Sequence, residues 1–345
     1  MTLVEVPRIK LRDGYEISRI IKGGWQLAGD HGPVDSAKAP DEMAEFVRGG
    51  ITTFDCADIY AGVEAMIGQF RTRYPDLARR VRVHTKFVPD LTALGSVDAA
   101  YVTRTIDRSL QRLHLERLDV VQFHWWDFSK PGYVETALEL QRLRKQGKIA
   151  HVSVTNFDVA HLAQIVTAGV PVFSNQVQYS VLDARPERSM VDYCRHNDIA
   201  LFCYGTVAGG FLSDRWLGVA DPKALVNRSL IKYKLIIDDF GGWKLFQRLL
   251  RTLRGVADRH GCDIATVASA IMLHKSAVAA VIVGATNTAH LEANQRIGSI
   301  KLHSSDLAAI EAVLLERAGP AGDVYALERD IHGRHGRIMK YELNK

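Results

Sequence analysis

The chain has 345 residues, which suits one large α/β barrel (about 250 residues) with added loops, or two domains. Hydrophobic residues make up 47%, ample for a core, and the formal charge of +5 is too diffuse for a nucleic-acid surface. The opening stretch MTLVEVPRIK has no apolar segment of signal-peptide length and no run approaches a membrane span, so a cytoplasmic protein is expected.

Residues 9–17 read as a hairpin turning at Asp13 and Gly14, ahead of the main fold. A first core strand spans 18–23. A loop over 24–38 carries Trp25, and a helix over 40–49 ends on glycine. Strand 51–55, helix 63–73 and strand 81–86 follow. Residues 98–114 read as a helix with Ile106, Leu110 and Leu113 on one face. Strand 118–123, helix 133–146, strand 151–154, helix 159–167 and strand 172–177 continue the alternation. Helix 186–196 leads to strand 199–204. The segment 205–242 breaks the rhythm. Its Trp216 and Tyr233, with Trp243 just beyond, mark it as packed, and it is expected to close over a ligand as a lid. Helices over 243–260 and 263–274 precede strand 279–283, and further helices start near Thr288 and Ser304. The tail, 317–345, is rich in Gly, Arg and His. It is expected to dock on the barrel or on a neighbouring subunit, the latter giving a homo-oligomer.

Eight short apolar strands between amphipathic helices predict a parallel sheet covered on its outer face, closed as a (β/α)8 barrel. The predicted class is therefore an α/β TIM barrel with an N-terminal hairpin, extra loops and a C-terminal helix, all in one domain over 1–345. No G-x-G-x-x-G follows the first strand, which argues against a dinucleotide-binding open sheet. Cys56, Cys194, Cys203 and Cys262 lack C-x-x-C spacing and are expected to be reduced. His332 and His335 stand three apart in the tail and make a weak metal pair, so no metal is expected.

Chemistry gathers at strand ends. Asp55 ends one strand and Tyr60 lies five residues on, in the loop. Lys86 and His124 end two more. All four can meet at one mouth of a barrel, an arrangement suited to proton transfer beside a ligand. Taken singly, each has an ordinary role: Asp55 as a cap, Tyr60 as packing, Lys86 as a solvated charge, His124 as a bonded core histidine.

The segments TFDCADIY, HTKF, VVQFHWW, VSVTNF, SNQVQYS, YGTVAGGFL and VIVGATNTAHLEAN occur in this order. Together they resemble the aldo/keto reductase family from the hairpin to about residue 316. The resemblance implies a barrel that reduces a carbonyl to an alcohol with NADPH, or runs the reverse. It implies Asp55, Tyr60, Lys86 and His124 as the catalytic tetrad. In that reading Lys86 makes the Tyr60 phenol a better acid, Asp55 holds Lys86, and His124 donates to the carbonyl oxygen.

The same resemblance gives Thr155, Asn156 and Gln176 the nicotinamide carboxamide and gives Tyr204 the nicotinamide ring. Gly205, Thr206, Gly209 and Gly210 would follow the pyrophosphate. Gly284, Thr286, Asn287, His290 and Asn294 would surround the adenosine end, where a helix start suits phosphate. Here the sequence departs from the family pattern. The loop lacks the usual Lys or Arg for a 2′-phosphate, and His290 replaces a frequent Arg. NADPH is expected, with NADH open, and Arg296 is the nearest strong cation. Trp25, Phe87, Trp125 and Trp126 are expected in loops around a small carbonyl or sugar substrate. Some barrels of this family serve as cofactor-sensing subunits of membrane channels, which is the competing reading. A metal-dependent hydrolase lacks a ligand cluster at the strand ends.

Overall fold

The computed structural model describes residues 5–29 and 34–344. Residues 30–33, within the loop expected over 24–38, lie outside the described part. Ten strands are present among the described residues: β1 (Arg8–Lys10), β2 (Glu16–Ser18), β3 (Ile20–Gly23), β4 (Thr53–Asp55), β5 (Arg82–Phe87), β6 (Leu118–Phe123), β7 (Ile149–Thr155), β8 (Ser174–Gln178), β9 (Ala200–Tyr204) and β10 (Val278–Gly284). β1 and β2 form the antiparallel hairpin, with Ile9 opposite Ile17. Its turn places Asp13 and Gly14 at positive φ, 58° and 74°, which aspartate and glycine tolerate. The other eight strands are parallel and close into a barrel in chain order, β10 pairing with β3.

Alternation along each strand divides the molecule into two cores. Ile21, Val120, Phe173, Phe202, Ala280 and Ile282 fill the barrel interior, and Tyr15 and Ile17 of the hairpin plug it from below. Residues of opposite parity, such as Ile20, Phe54, Val121, Phe123 and Val154, pack outward against the helices. The interior is mostly apolar toward the N-terminal end of the strands, with His84 bonded there to the Tyr15 hydroxyl at 3.2 Å. At the C-terminal end it is polar, with Asp55, Lys86, Gln122, His124 and Gln176 all buried. This polar upper layer is what the fold offers for chemistry.

Four helices start on a side-chain cap that the sequence supplies. Asp98, Asp158 and Asp263 accept from the backbone N–H of Tyr101, His161 and Thr266. Asn227 does the same for helix Arg228–Phe240, which lies inside the segment that breaks the alternation. Tyr233, Ile236, Ile237 and Phe240 form its buried face, spaced by three and four residues. Phe211, Trp216, Trp243 and Phe246 pack as one aromatic cluster, so the segment is packed as expected. Two helix starts lie three or four residues from expectation. The helix expected over 186–196 begins at Met190, after a 3-10 turn at Arg185–Glu187. The one expected from Thr288 is Leu291–Arg296, with His290 as its N-cap.

The tail docks on its own barrel. Glu328 accepts from Arg185 at 2.9 and 3.0 Å, and Arg185 also pairs with Asp183 at 2.7 Å. All three side chains are fully buried. Arg329 donates to the carbonyls of Trp125, Trp126 and Asn156 and lies 3.9 Å from the Phe128 ring centroid. His335 pairs with Asp239 at 2.7 Å, so this tail histidine serves docking. Asn344 donates to the Val88 carbonyl at 2.7 Å.

Candidate active site

Asp55 ends β4 and Lys86 lies in the adjacent β5, both pointing into the barrel. Lys86 Nζ donates to Asp55 Oδ2 at 2.6 Å and to the Cys56 carbonyl at 2.8 Å. Both side chains are almost entirely buried, at 6% and 5% exposure. A buried pair survives only if its remaining valences are met. Here they are: Asp55 Oδ1 accepts from Gln122 Nε2 at 2.8 Å and from Gln176 Nε2 at 2.6 Å. Burial alone would lower the Lys86 pKa, but Asp55 and then Tyr60 outweigh it and hold the ammonium charged.

Tyr60 is half-buried above this pair, its ring centroid 5.0 Å from Lys86 Nζ. Burial raises the Tyr60 pKa and the Lys86 charge pulls it back. The net shift is upward, so the phenol keeps its proton at neutral pH. The Trp25 ring packs on Tyr60 with centroids 5.1 Å apart.

His124 follows β6. Its Nδ1 lies 3.1 Å from the Thr155 carbonyl oxygen, which can only accept, so Nδ1 carries the hydrogen. Burial, then the charge on Arg329, lowers its pKa to about 3, so the ring is neutral. Neutral His124 therefore offers Nε2 as an acceptor. That atom is buried without a partner. Donation from His124 to a carbonyl oxygen, expected from the sequence, does not fit this tautomer. Nε2 suits the O–H of an alcohol or of a hydroxyl beside the carbonyl.

These groups line a cavity of about 750 Å³. Thr155, Asn156, Gln176, Tyr204, Gly205, Gly209, Gly210, Gly284, His290 and Asn294 line it too, as do Trp25 and Trp126. Tyr204 donates to Asn156 Oδ1 at 2.9 Å, which fixes its ring across the mouth. Asn156 has φ 62°, a left-handed position that asparagine tolerates. The Gln176 amide nitrogen is committed to Asp55 and Gln122, leaving its carbonyl oxygen for a ligand.

Five expected residues lie elsewhere. Phe87 ends β5 and Trp125 follows Phe123 at outward parity; both are fully buried in the layer between strands and helices. Trp125 Nε1 donates to the Lys130 carbonyl. The Thr206 hydroxyl bonds Ser269 at 3.0 Å and lies off the cavity wall. Thr286 and Asn287 are exposed and do not line the cavity; Asn287 Oδ1 accepts from the Ala289 N–H, tightening the turn. Arg296 donates to the His260 carbonyl and is likewise absent from the wall.

Residues missed from the sequence include three groups. Gln122 stands two before His124, so strand parity alone would have found it. Arg228, Ser229, Lys232 and Tyr233 enter from helix Arg228–Phe240, inside the segment that breaks the alternation. Tyr325, Ile338, Met339 and Leu343 enter from the tail, which has no periodicity to read.

Among the described residues, His260, His303 and Asp306 have potential ligand atoms within 4.8 Å of one another. Asp306 already accepts from Arg259 at 2.6 Å and His260 at 2.7 Å, so it ties down the start of helix Ser304–Leu314.

A model described as the Aldo/keto reductase family matches residues 19–315. The chain is 27% identical over 251 residues to flagellar radial spoke protein 5 of Chlamydomonas reinhardtii, covering 61% of this chain and 47% of that protein. It thus spans about half the length of that relative. It is 26% identical over 319 residues to the NADH-specific methylglyoxal reductase of Escherichia coli, covering 84% of this chain and 92% of the relative. An aldo/keto reductase from Klebsiella pneumoniae, solved with NADP and acetate, superimposes with a TM-score of 0.69 at 20% identity, covering 93% and 98% of the two chains. That last likeness is one of fold. With its eight-stranded parallel barrel and a family match over residues 19–315, this chain belongs to the aldo/keto reductase family.

Proposed function

We propose that the chain is a nicotinamide-dependent carbonyl reductase acting on an aldehyde, ketone or sugar carbonyl, or running the reverse oxidation. The observation that carries this is the buried Asp55–Lys86 pair lying beneath the Tyr60 ring in the wall of one large cavity. The cavity fits a dinucleotide in kind. It has a free amide nitrogen, Asn294 Nδ2, buried without a partner on its wall, and a glycine-lined path at Gly205, Gly209 and Gly210. When bound, the cofactor supplies or removes the hydride at the carbonyl carbon. Tyr60 gives its phenolic proton to the oxygen. The phenolate left behind is stabilised by the Lys86 ammonium, which Asp55 keeps charged. His124 Nε2 accepts the O–H of the alcohol and orients it. Trp25, Trp126 and Tyr325 narrow the mouth and exclude water. Positioned proton transfer is worth about 10²–10⁴-fold.

The cofactor is read as NADPH ahead of NADH. His290 is the support from side chains, since it lines the cavity and Thr286 and Asn287 do not. Asp263 lines the same cavity and opposes a second phosphate. The test of function is a screen of aldehydes, ketones and sugars, followed by nicotinamide absorbance with both cofactors. Turnover of none in either direction, with dinucleotide still bound, would sink the enzyme reading and favour a cofactor-binding regulatory subunit.

A further inference from the structure

Helix Arg228–Phe240 lies directly on the loop after β9. A Cβ added at Gly205 would stand 2.1 Å from Tyr233 Oη, and one at Gly209 would stand 3.1 Å from Ser229 Cβ. This packing fixes which face of the helix meets the cavity, and Lys232 is on it. Its Nζ lies 5.3 Å from the Tyr204 ring centroid, 5.5 Å from that of Tyr233 and 5.7 Å from that of Tyr325. Three aromatic faces thus hold the ammonium in place. Among the described residues it makes no hydrogen bond or ion pair. The charges around it are Asp183, Arg185, Glu328 and Arg228. The first three are bonded to one another, so neither carboxylate turns to Lys232. An ammonium with three donors and no acceptor, in a cavity wall, is a site for an anion.

Its position says which anion. The Tyr325 ring meets the His124 ring edge-on, centroids 5.5 Å apart, so Lys232 borders the reacting end of the cavity. Arg329 adds a positive charge that acts on His124. Lys86 is neutralised by Asp55, while Arg329 is held by three carbonyls and keeps its charge. We infer that Lys232 recognises an anionic group on the substrate, so that the preferred substrates are carbonyl compounds bearing a carboxylate or a phosphate. This rests on the carbonyl-reductase reading above. The same ammonium could instead meet the cofactor pyrophosphate, and the test separates the two.

The experiment compares 4-carboxybenzaldehyde with the neutral 4-nitrobenzaldehyde in the full chain, in wild type, Lys232→Met and Lys232→Arg, beside cofactor titration by fluorescence. The ratio of kcat/KM, carboxylated over neutral, should fall about tenfold to a hundredfold in Lys232→Met, the range of one charged hydrogen bond. The fall should lie in KM, and Lys232→Arg should restore most of it. An unchanged ratio overturns the inference. Weakened cofactor binding with an unchanged ratio also overturns it and moves the anion to the pyrophosphate. If neither aldehyde turns over, the reductase reading fails by itself. Benzoate binding to the dinucleotide-loaded protein, read by tryptophan fluorescence, then decides the anion site. Equal affinity in wild type and Lys232→Met overturns it, and a loss of about tenfold or more sustains it.

Discussion

Lys86 Nζ and Asp55 Oδ2 lie 2.6 Å apart across adjacent barrel strands, and the same ammonium faces the Tyr60 ring. One cation therefore links a carboxylate that holds it to a phenol that it acidifies. The chemistry proposed for this chain depends on that shared position.

Tyr60→Phe should abolish carbonyl reduction and leave cofactor affinity within a few-fold of wild type. The ring that packs on Trp25 remains and only the hydroxyl goes. Turnover and dinucleotide titration check it together. Retention of more than about a tenth of wild-type turnover would contradict the proton-donor role, because general acid catalysis is worth about 10²-fold or more.

Lys86→Met should cripple turnover and lower thermal stability. It leaves Asp55 buried with two glutamine amides and no cation. Breaking a buried pair costs about 3–5 kcal/mol. Unfolding curves and the pH dependence of rate are the measurements, and unchanged values in both would mean that Lys86 is only structural filling.

Glu328→Gln should loosen the tail without unfolding the barrel. Asp183 still balances Arg185, so the loss is that of charge-assisted bonds, about 1.5–3 kcal/mol. Faster proteolysis within 317–344 should accompany a small fall in melting temperature. Equal proteolysis rates would show that other contacts hold the tail.

Stability should decline with acid through a window set by buried histidines. Burial lowers the pKa of His84 and of His124 to about 3, below the usual value near 6.5. The unfolded chain therefore takes up protons that the folded chain refuses. Stability present above about pH 6.5 is lost as pH falls toward about 3, by roughly 1.4 kcal/mol per pH unit for each group. His84→Gln should flatten that slope by one group's share in denaturant titrations at pH 7, 6 and 5. An unaltered slope would mean that His84 titrates normally.

NADPH should bind about tenfold more tightly than NADH if His290 makes one charge-assisted bond, since about 1.4 kcal/mol is tenfold. Arg296→Ala should change neither affinity, because Arg296 faces the His260 carbonyl. His290→Ala should remove the preference. Tighter NADH binding in wild type would reverse the cofactor assignment.

The barrel was legible because hydrophobic periodicity is a local signal. Eight apolar runs with helices between them leave little choice but a covered parallel sheet, and strand ends such as Asp55, Lys86 and His124 follow from where each run stops. Parity within a run was legible as well, and it explains why Gln122 belongs to the site while Phe87 and Trp125 do not. Tertiary structure alone decided what crosses the mouth. Tyr325 and Met339 reach the cavity because Glu328 finds Arg185 at a separation of 143 residues, a pairing that no local pattern encodes. The His124 tautomer was decided the same way, by the Thr155 carbonyl on a neighbouring strand. Hydrogen bonds between distant segments depend on side-chain direction and burial, and these exist only once the chain has closed.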